Sequence, residues 1–296
     1  MSKRLNTVIM GICLAIGAVF CCRPLWAESL PFMNQSKIRL SIPAGQRAFG
    51  EITLDNPSDE VKIVHLYLED WYYQPDGSGA KEFLPANSLP SSACSWITFS
   101  PTDLVLPAFG KQKINYAVSV PPGAKGERFA TLFFETALGK GELASSGRSA
   151  GLDVNVRVAT LFYIEVKDTV ERSAKIDNLK VKPSADGSGA LEISLDFENT
   201  GNSDITTSGN FNLMNSEGLV SARGAFNSVY TLGGGKGVLS SAWKEKIPAG
   251  EYDLVVTVDL GKALTDAGLE GGPVITKEAS VTIGENNQVV RVGPLK

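Results

Sequence analysis

Histidine is almost missing from this chain: of 296 residues only one, His65, is a histidine. A general base or a metal ligand needs a second group held beside it. No His/Cys/Asp cluster at ligand spacing accompanies His65, which alternates within an apolar run and reads as a core or strand-surface residue. Cysteine is nearly as scarce. Cys13, Cys21 and Cys22 fall in the N-terminal leader, so the mature chain keeps Cys94 alone and forms no internal disulfide. Its stability has to come from apolar cores. Cys94, next to Trp96, reads as a small buried hydrophobe, with an intermolecular bridge as the alternative. Clusters of Lys and Arg are also absent, which argues against nucleic acid and anionic membrane surfaces as partners. No helical period longer than two turns appears.

The usual catalytic motifs are missing too. There is no Gly-x-Ser-x-Gly elbow. Gly233-Gly-Gly-Lys-Gly237 lacks the spacing of a phosphate loop and is not followed by a helix. Glu69 and Asp70 are adjacent on a strand, so their side chains leave on opposite faces and cannot act as a pair. The expectation is a non-enzyme with no cofactor and no metal.

What is present begins with a leader. Lys3 and Arg4 precede an apolar run from Thr7 to Phe20, and Leu25-Trp26-Ala27 supplies a small residue for cleavage before Glu28. This is the anatomy of a secretory signal peptide, residues 1–27, and the apolar run is too short to span a bilayer. A lipoprotein acylated at Cys21 or Cys22 is the weaker alternative, because Ala18-Val19-Phe20 is a poor approach to an acylated cysteine. Removing Lys3, Arg4 and Arg23 leaves 25 basic residues against 32 acidic ones, a mature net charge of −7. A mature chain of about 270 residues suits two domains.

Short strands separated by turn signals fill residues 28–166. Ile38–Ile42, Ala48–Leu54, Val61–Tyr73, Ser95–Ser100, Asp103–Leu106, Lys113–Val120 and Arg128–Thr136 read as strands, and Asp55-Asn56-Pro57-Ser58 is a strong breaker. Ala137–Ala150, rich in Gly and Ser, reads as a loop. The polar segment 167–174 reads as a linker. Ile176–Val181, Ala190–Glu198, Ser208–Met214, Glu251–Leu260 and Val274–Ile283 are strands of a second β domain, 175–296, with one helical turn within Lys262–Leu269. The fold class expected is all-β: two immunoglobulin-like sandwiches in tandem after a signal peptide. Asp76-Gly-Ser-Gly79 and Asp186-Gly-Ser-Gly189 repeat four letters without the alternating oxygen ligands of a calcium loop, and read as hairpin turns. The aromatic run Trp71-Tyr72-Tyr73 reads as core on one face, ahead of a ligand platform.

The stretch Leu152–Val166 closes the first domain. It alternates to Val158 and is then almost continuously apolar. Leu152, Val154, Val156 and Val158 share one face by parity. Either they fill their own core, or they enter the groove of an incomplete sandwich while the main chains pair, which is β-strand addition.

Several pieces, in order, resemble the N-terminal domain of the periplasmic pilus-assembly chaperones of the PapD type. They are Ile52-Thr-Leu-Asp-Asn56-Pro-Ser, Tyr67-Leu-Glu-Asp-Trp71 with Asp76-Gly77 and Phe83-Leu84-Pro85, Phe99-Ser-Pro101 with Leu106-Pro107, Val120-Pro-Pro-Gly with Gly126-Glu127-Arg128, and Val158-Ala-Thr-Leu161-Phe162-Tyr163. The resemblance covers about 130 residues, one sandwich domain. It implies a periplasmic protein that holds a pilus or other secreted subunit by donating a strand. It also implies a basic pair that anchors the subunit's terminal carboxylate: an Arg on the first strand and a Lys just before Leu-Phe-Tyr. Arg39 lies on the first strand, Thr160 stands at the Lys position, and Arg157 is the nearest basic residue on that strand. The partner-binding candidates are therefore Leu152, Val154, Val156, Val158, Arg39 and Arg157. The second domain looks like the generic immunoglobulin modules of bacterial surface proteins, and a non-catalytic structural or adhesion module of the cell envelope is the other expectation.

Overall fold

A computed structural model describes residues 30–145, 148–184, 190–269 and 271–296, apart from the side chains of 138–153. The signal peptide and the second Asp-Gly-Ser-Gly turn lie outside the described residues. The described chain is nearly all strand, folded as two tandem immunoglobulin-like β-sandwiches.

Ten strands build the first: β1 (Phe32–Met33), β2 (Lys37–Ile42), β3 (Arg47–Asp55), β4 (Lys62–Tyr73), β5 (Lys81–Pro85), β6 (Ile97–Ser100), β7 (Asp103–Leu106), β8 (Lys111–Ser119), β9 (Glu127–Ser145) and β10 (Arg148–Val166). One sheet runs β1-β3-β8-β6; the other runs β2-β10-β9-β4-β5, with β7 also paired to β4. The alternation along β3, β4 and β8 puts every second residue inward. Ile52, Leu54, Ile114 and Val118 of one sheet thereby meet Leu66, Leu132, Phe134, Phe162 and Ile164 of the other. Burying each such side chain is worth roughly 1.5–3 kcal/mol. Cys94 is buried at the rim of this core, and its thiol lies 3.1 Å from Asp70 Oδ1.

Two devices close the turns. Asn56, buried after β3, donates to Glu60 O at 2.7 Å and Pro107 O at 2.9 Å, and its Oδ1 accepts from Ser58 N at 3.1 Å. In the second domain Asn199 does the same, donating to Ser203 O at 2.9 Å and accepting from Gly201 N at 3.0 Å. Both satisfy polar groups that a buried turn would otherwise leave unpaired.

The stretch expected as a loop, 137–150, is instead the outer part of a long hairpin. β9 and β10 pair from Glu127↔Glu165 out to Ser145↔Arg148, with a register shift at Val154/Asn155. Its Gly- and Ser-rich composition carries a loop signal, but main-chain pairing propagates outward from the strongly patterned strands at its base.

The second sandwich comprises β11 (Ala174–Pro183), β12 (Leu191–Asn199), β13 (Ile205–Thr206), β14 (Ser208–Asn215), β15 (Val220–Ala225), β16 (Tyr230–Thr231), β17 (Lys236–Trp243), β18 (Gly250–Asp259), β19 (Val274–Ile283) and β20 (Val289–Val292). Sheets β11-β12-β17 and β15-β14-β18-β19-β20 enclose Ile193, Leu195, Phe197, Phe211, Leu239 and Val256. The short helix α1 (Lys262–Thr265) follows β18. Strands β15 and β17 escaped the sequence pattern because small and polar residues interrupt their alternation (Val-Ser-Ala-Arg-Gly-Ala and Lys-Gly-Val-Leu-Ser-Ser-Ala-Trp).

The two sandwiches touch along the turn between β4 and β5. Gly77 and Gly79 have φ of +74° and +84°, and a Cβ on Gly79 would stand 2.7 Å from the Tyr230 ring. Only glycine serves there, for conformation and for space. The segment after β10 is bonded to both sides: Thr169 Oγ1 accepts from Gly126 N at 2.8 Å, and Thr169 O accepts from Asn202 Nδ2 at 3.0 Å.

Candidate functional site

The site is built on β10. Along one edge β10 pairs antiparallel with β9 over its whole length. Along the other it pairs parallel with β2, but only from Leu161↔Lys37 to Val166↔Ile42. The transition is fixed by Thr160, fully buried, whose Oγ1 donates to Gln35 O at 2.7 Å, and by Leu161 N, which donates to Ser36 O at 3.0 Å. Between Val154 and Ala159 this second edge has no partner strand among the described residues. An edge of that kind presents unpaired N–H and C=O groups to any chain that can extend beside it.

The side chains along the open edge grade from solvent to core. Val154 is 36 % exposed. Val156 and Val158 are half-buried, and Val158 packs against the core that holds Phe162 and Ile164. The Leu152 side chain lies outside the described residues. The valine face is thus shared: its inner end belongs to the first domain's core, and its outer end opens to solvent.

No known family model matches the sequence, and no curated protein matches it. Solved structures of similar arrangement are fimbrial chaperones. The class 5 fimbriae chaperone CfaA is 13% identical over 84% of this chain and 98% of its own, with a TM-score of 0.47. CsuC, in a chaperone–tip adhesion subunit pre-assembly complex from the archaic chaperone-usher Csu pili of Acinetobacter baumannii, is 13% identical over 84% of this chain and 98% of that one, with a TM-score of 0.40. The CupB2 chaperone of Pseudomonas aeruginosa is 10% identical over 83% and 98%, with a TM-score of 0.36. These identities transfer no residue role; roles come from the geometry of this chain.

Arg39 lies at the junction of the domains and is committed there. Its Nη1 and Nη2 donate to the two carboxylate oxygens of Asp204 at 2.9 and 2.7 Å, and Nη1 also reaches Glu127 Oε1 at 3.3 Å. Side-chain exposure is 8% for Arg39, 0% for Glu127 and 1% for Asp204. Glu127 Oε2 accepts from Asp204 N at 2.8 Å, which closes the network. Burial alone would lower the Arg39 pKa; the hydrogen bonds and charge of Asp204, with Glu127, outweigh it and raise it. Burial, then the Asp204 charge, raises the Glu127 carboxyl well above its usual range. Arg39 thus holds two domains together, which no local pattern around residue 39 announces: Asp204 lies in the other sandwich.

Arg157 lies on the opposite face of β10 from the valines. Its Nη1 stands 3.2 Å from each Glu69 oxygen and 3.4 Å from Tyr67 OH, and its guanidinium covers the Phe133 ring at 4.2 Å. Its pKa is raised, first by the hydrogen bond to Tyr67. Arg39 and Arg157 are not brought together. Thr160, at the position where the resemblance implies a Lys, is a structural residue.

His65 is exposed and its Nδ1 meets Asp103 Oδ1 at 2.8 Å. Among the described residues no group of three or more His, Cys, Asp or Glu could hold a metal, and no helix is long and apolar enough to cross a membrane. Trp71 is fully buried, and with Phe129 and Tyr163 it forms a second apolar cluster on the outer face of the sheet, capped by Leu232 of the second domain.

Proposed function

We propose that this protein is an exported, non-catalytic, chaperone-like protein of the periplasm that binds fimbrial or other secreted subunits by β-strand addition along β10. The observation that carries the reading is the open edge between Val154 and Ala159, flanked by a valine face that is part core and part solvent. A partner strand laid there would continue the row that β2 occupies from Lys37 onward. Each main-chain hydrogen bond so formed contributes roughly 0.5–1.5 kcal/mol, and Val154 and Val156 supply apolar area to a partner groove. The leader supports export. We assign residues 1–27 to the leader, 28–166 to the binding domain, 167–174 to the linker and 175–296 to the second sandwich.

The test is co-expression with fimbrial subunits, with and without Val154→Asp and Val156→Asp. Val154 is the more exposed, so its variant is expected to keep the circular dichroism spectrum and melting temperature of the native chain while losing the ability to hold the subunit soluble. Unchanged capture of subunit by both folded variants would overturn strand addition at this edge.

A further inference from the structure

Two lysines at the domain junction are left without a counter-charge. Lys37 begins β2 and Lys81 begins β5, the two outermost strands of one sheet. Both side chains reach back over the same aromatic cluster. Lys37 Nζ is 5.2 Å from the Tyr163 ring centroid; Lys81 Nζ is 5.6 Å from that of Trp71 and 5.0 Å from that of Tyr73. The rings themselves touch, Trp71 to Tyr163 at 5.4 Å and Trp71 to Tyr73 at 5.1 Å. Among the described residues neither ammonium has a carboxylate at ion-pair distance; Lys81 reaches only Gly79 O, at 3.3 Å. The nearby acids are already engaged. Asp204 and Glu127 hold Arg39, and Asp266 is paired with Lys262 at 3.1 Å. An open recess of about 430 Å³, lined by Lys37, Arg39 and Asp266 among others, lies against this corner.

Donors without acceptors gather at the same place. The Trp71 indole N–H, fully buried, has no acceptor. The Tyr73 and Tyr163 hydroxyls have only each other, at 3.4 Å. Burial pushes the Tyr73 hydroxyl up to about 12 and raises that of Tyr163, so both stay protonated. Loss of hydration, then the charge of Arg39, lowers the Lys37 pKa, while Asp204 and Asp266 act against it; loss of hydration, then the charge of Lys37, lowers that of Lys81. A chain of net charge −7 that leaves two cations uncompensated over one aromatic floor is arranged for an anion from outside.

We propose that Lys37 and Lys81 form a carboxylate-binding site at the domain junction, with the Trp71–Tyr73–Tyr163 cluster as its floor. It takes one carboxylate, from a chain terminus, an acidic side chain or a free acid, between two ammonium groups that otherwise repel. The site stands whether or not the edge of β10 is used, so it is tested on the full chain alone.

The Trp71 indole resonance, assigned with Trp71→Phe, is followed by NMR while sodium acetate, a tripeptide with a free carboxyl terminus, its C-terminal amide, and the amide carrying one Glu are added at low salt. Acetate and the acid-bearing peptides are expected to shift it and the neutral amide is not; the terminal and Glu peptides separate the two peptide sources. Lys37→Met and Lys81→Met, which keep the aliphatic stem, should each weaken binding about tenfold or more, the loss of one charge-assisted hydrogen bond. Lys37→Met should also raise the Lys81 pKa, read from its Cε resonance. No shift with acetate, equal binding by the double variant, or an unmoved Lys81 would each overturn the site.

Discussion

Replacing Arg39 by Met tests the junction most directly. The substitution keeps much of the stem and removes the guanidinium that sits between Asp204 and Glu127. Both carboxylates are essentially inaccessible to water, so neither can recover its lost partner as hydration. Breaking a buried pair by deleting one member costs about 3–5 kcal/mol, and the cation over the Tyr163 ring at 4.1 Å adds roughly 0.5–2 kcal/mol. Removing the opposite charge as well should recover part of this. Arg39→Met with Asp204→Asn is expected to cost less than the two single changes together, by about 1–3 kcal/mol. The pH dependence has a definite sign. Glu127 already has a raised folded-state pKa, and loss of Arg39 raises it further. An acid of that kind binds more protons folded than unfolded between its two pKa values, so the variant's deficit should shrink as pH falls from about 8 toward about 5. Scanning calorimetry that resolves the two domains, with small-angle scattering for their separation, provides the assay. An Arg39→Met protein that melts like the native chain, or strict additivity with Asp204→Asn, would refute the claim that this network holds the domains together.

Three further outcomes follow from the same geometry. Gly79→Ala places a methyl against the Tyr230 ring in a left-handed backbone that costs roughly 1–2 kcal/mol on its own, so the domain contact should loosen and scattering should report a more open particle. Asn56→Ala strips the hydrogen bonds to Glu60 O and Pro107 O and should lower stability by roughly 2–4 kcal/mol in urea, with Asn56→Asp little better because it cannot donate both. Burial, then the hydrogen bond to Asp70, pushes the Cys94 thiol up to about 12. Cys94 should therefore resist thiol reagents until the chain unfolds, and alkali above the ordinary thiol range should destabilise the fold, since only the unfolded chain then ionises.

The strands were legible where alternation was strong. The core positions of β3, β4, β8 and the second half of β10 follow directly from residue parity, because a half-buried strand has no other way to hide its apolar residues. The outer hairpin and strands β15 and β17 were not, because pairing there is carried by the main chain while glycine, serine and alanine give no face to read. The open edge was half legible. Its valine face shows in the sequence; that β2 stops covering it at Leu161 depends on where Thr160 and Leu161 bond to Gln35 and Ser36, far away in sequence.

The charges show the deeper reason. A sequence shows that Arg39, Lys37 and Lys81 are cationic but not which carboxylates reach them. Arg39, the residue whose family likeness implied a grip on a partner, meets Asp204, 165 positions away, and its charge is spent inside the molecule. Lys37, two residues earlier on the same strand, extends to the aromatic cluster and meets no acid. Parity alone places residues 37 and 39 on one face. What separates their roles is the second domain, which brings Asp204 to one of them and leaves the other facing an open recess. An anchor for a negative group at this junction is therefore decided by domain docking rather than by the strand that carries the lysine. Loosening the docking, as Gly79→Ala should, would then free Arg39 from Asp204 and change the anion affinity of the junction without touching either lysine.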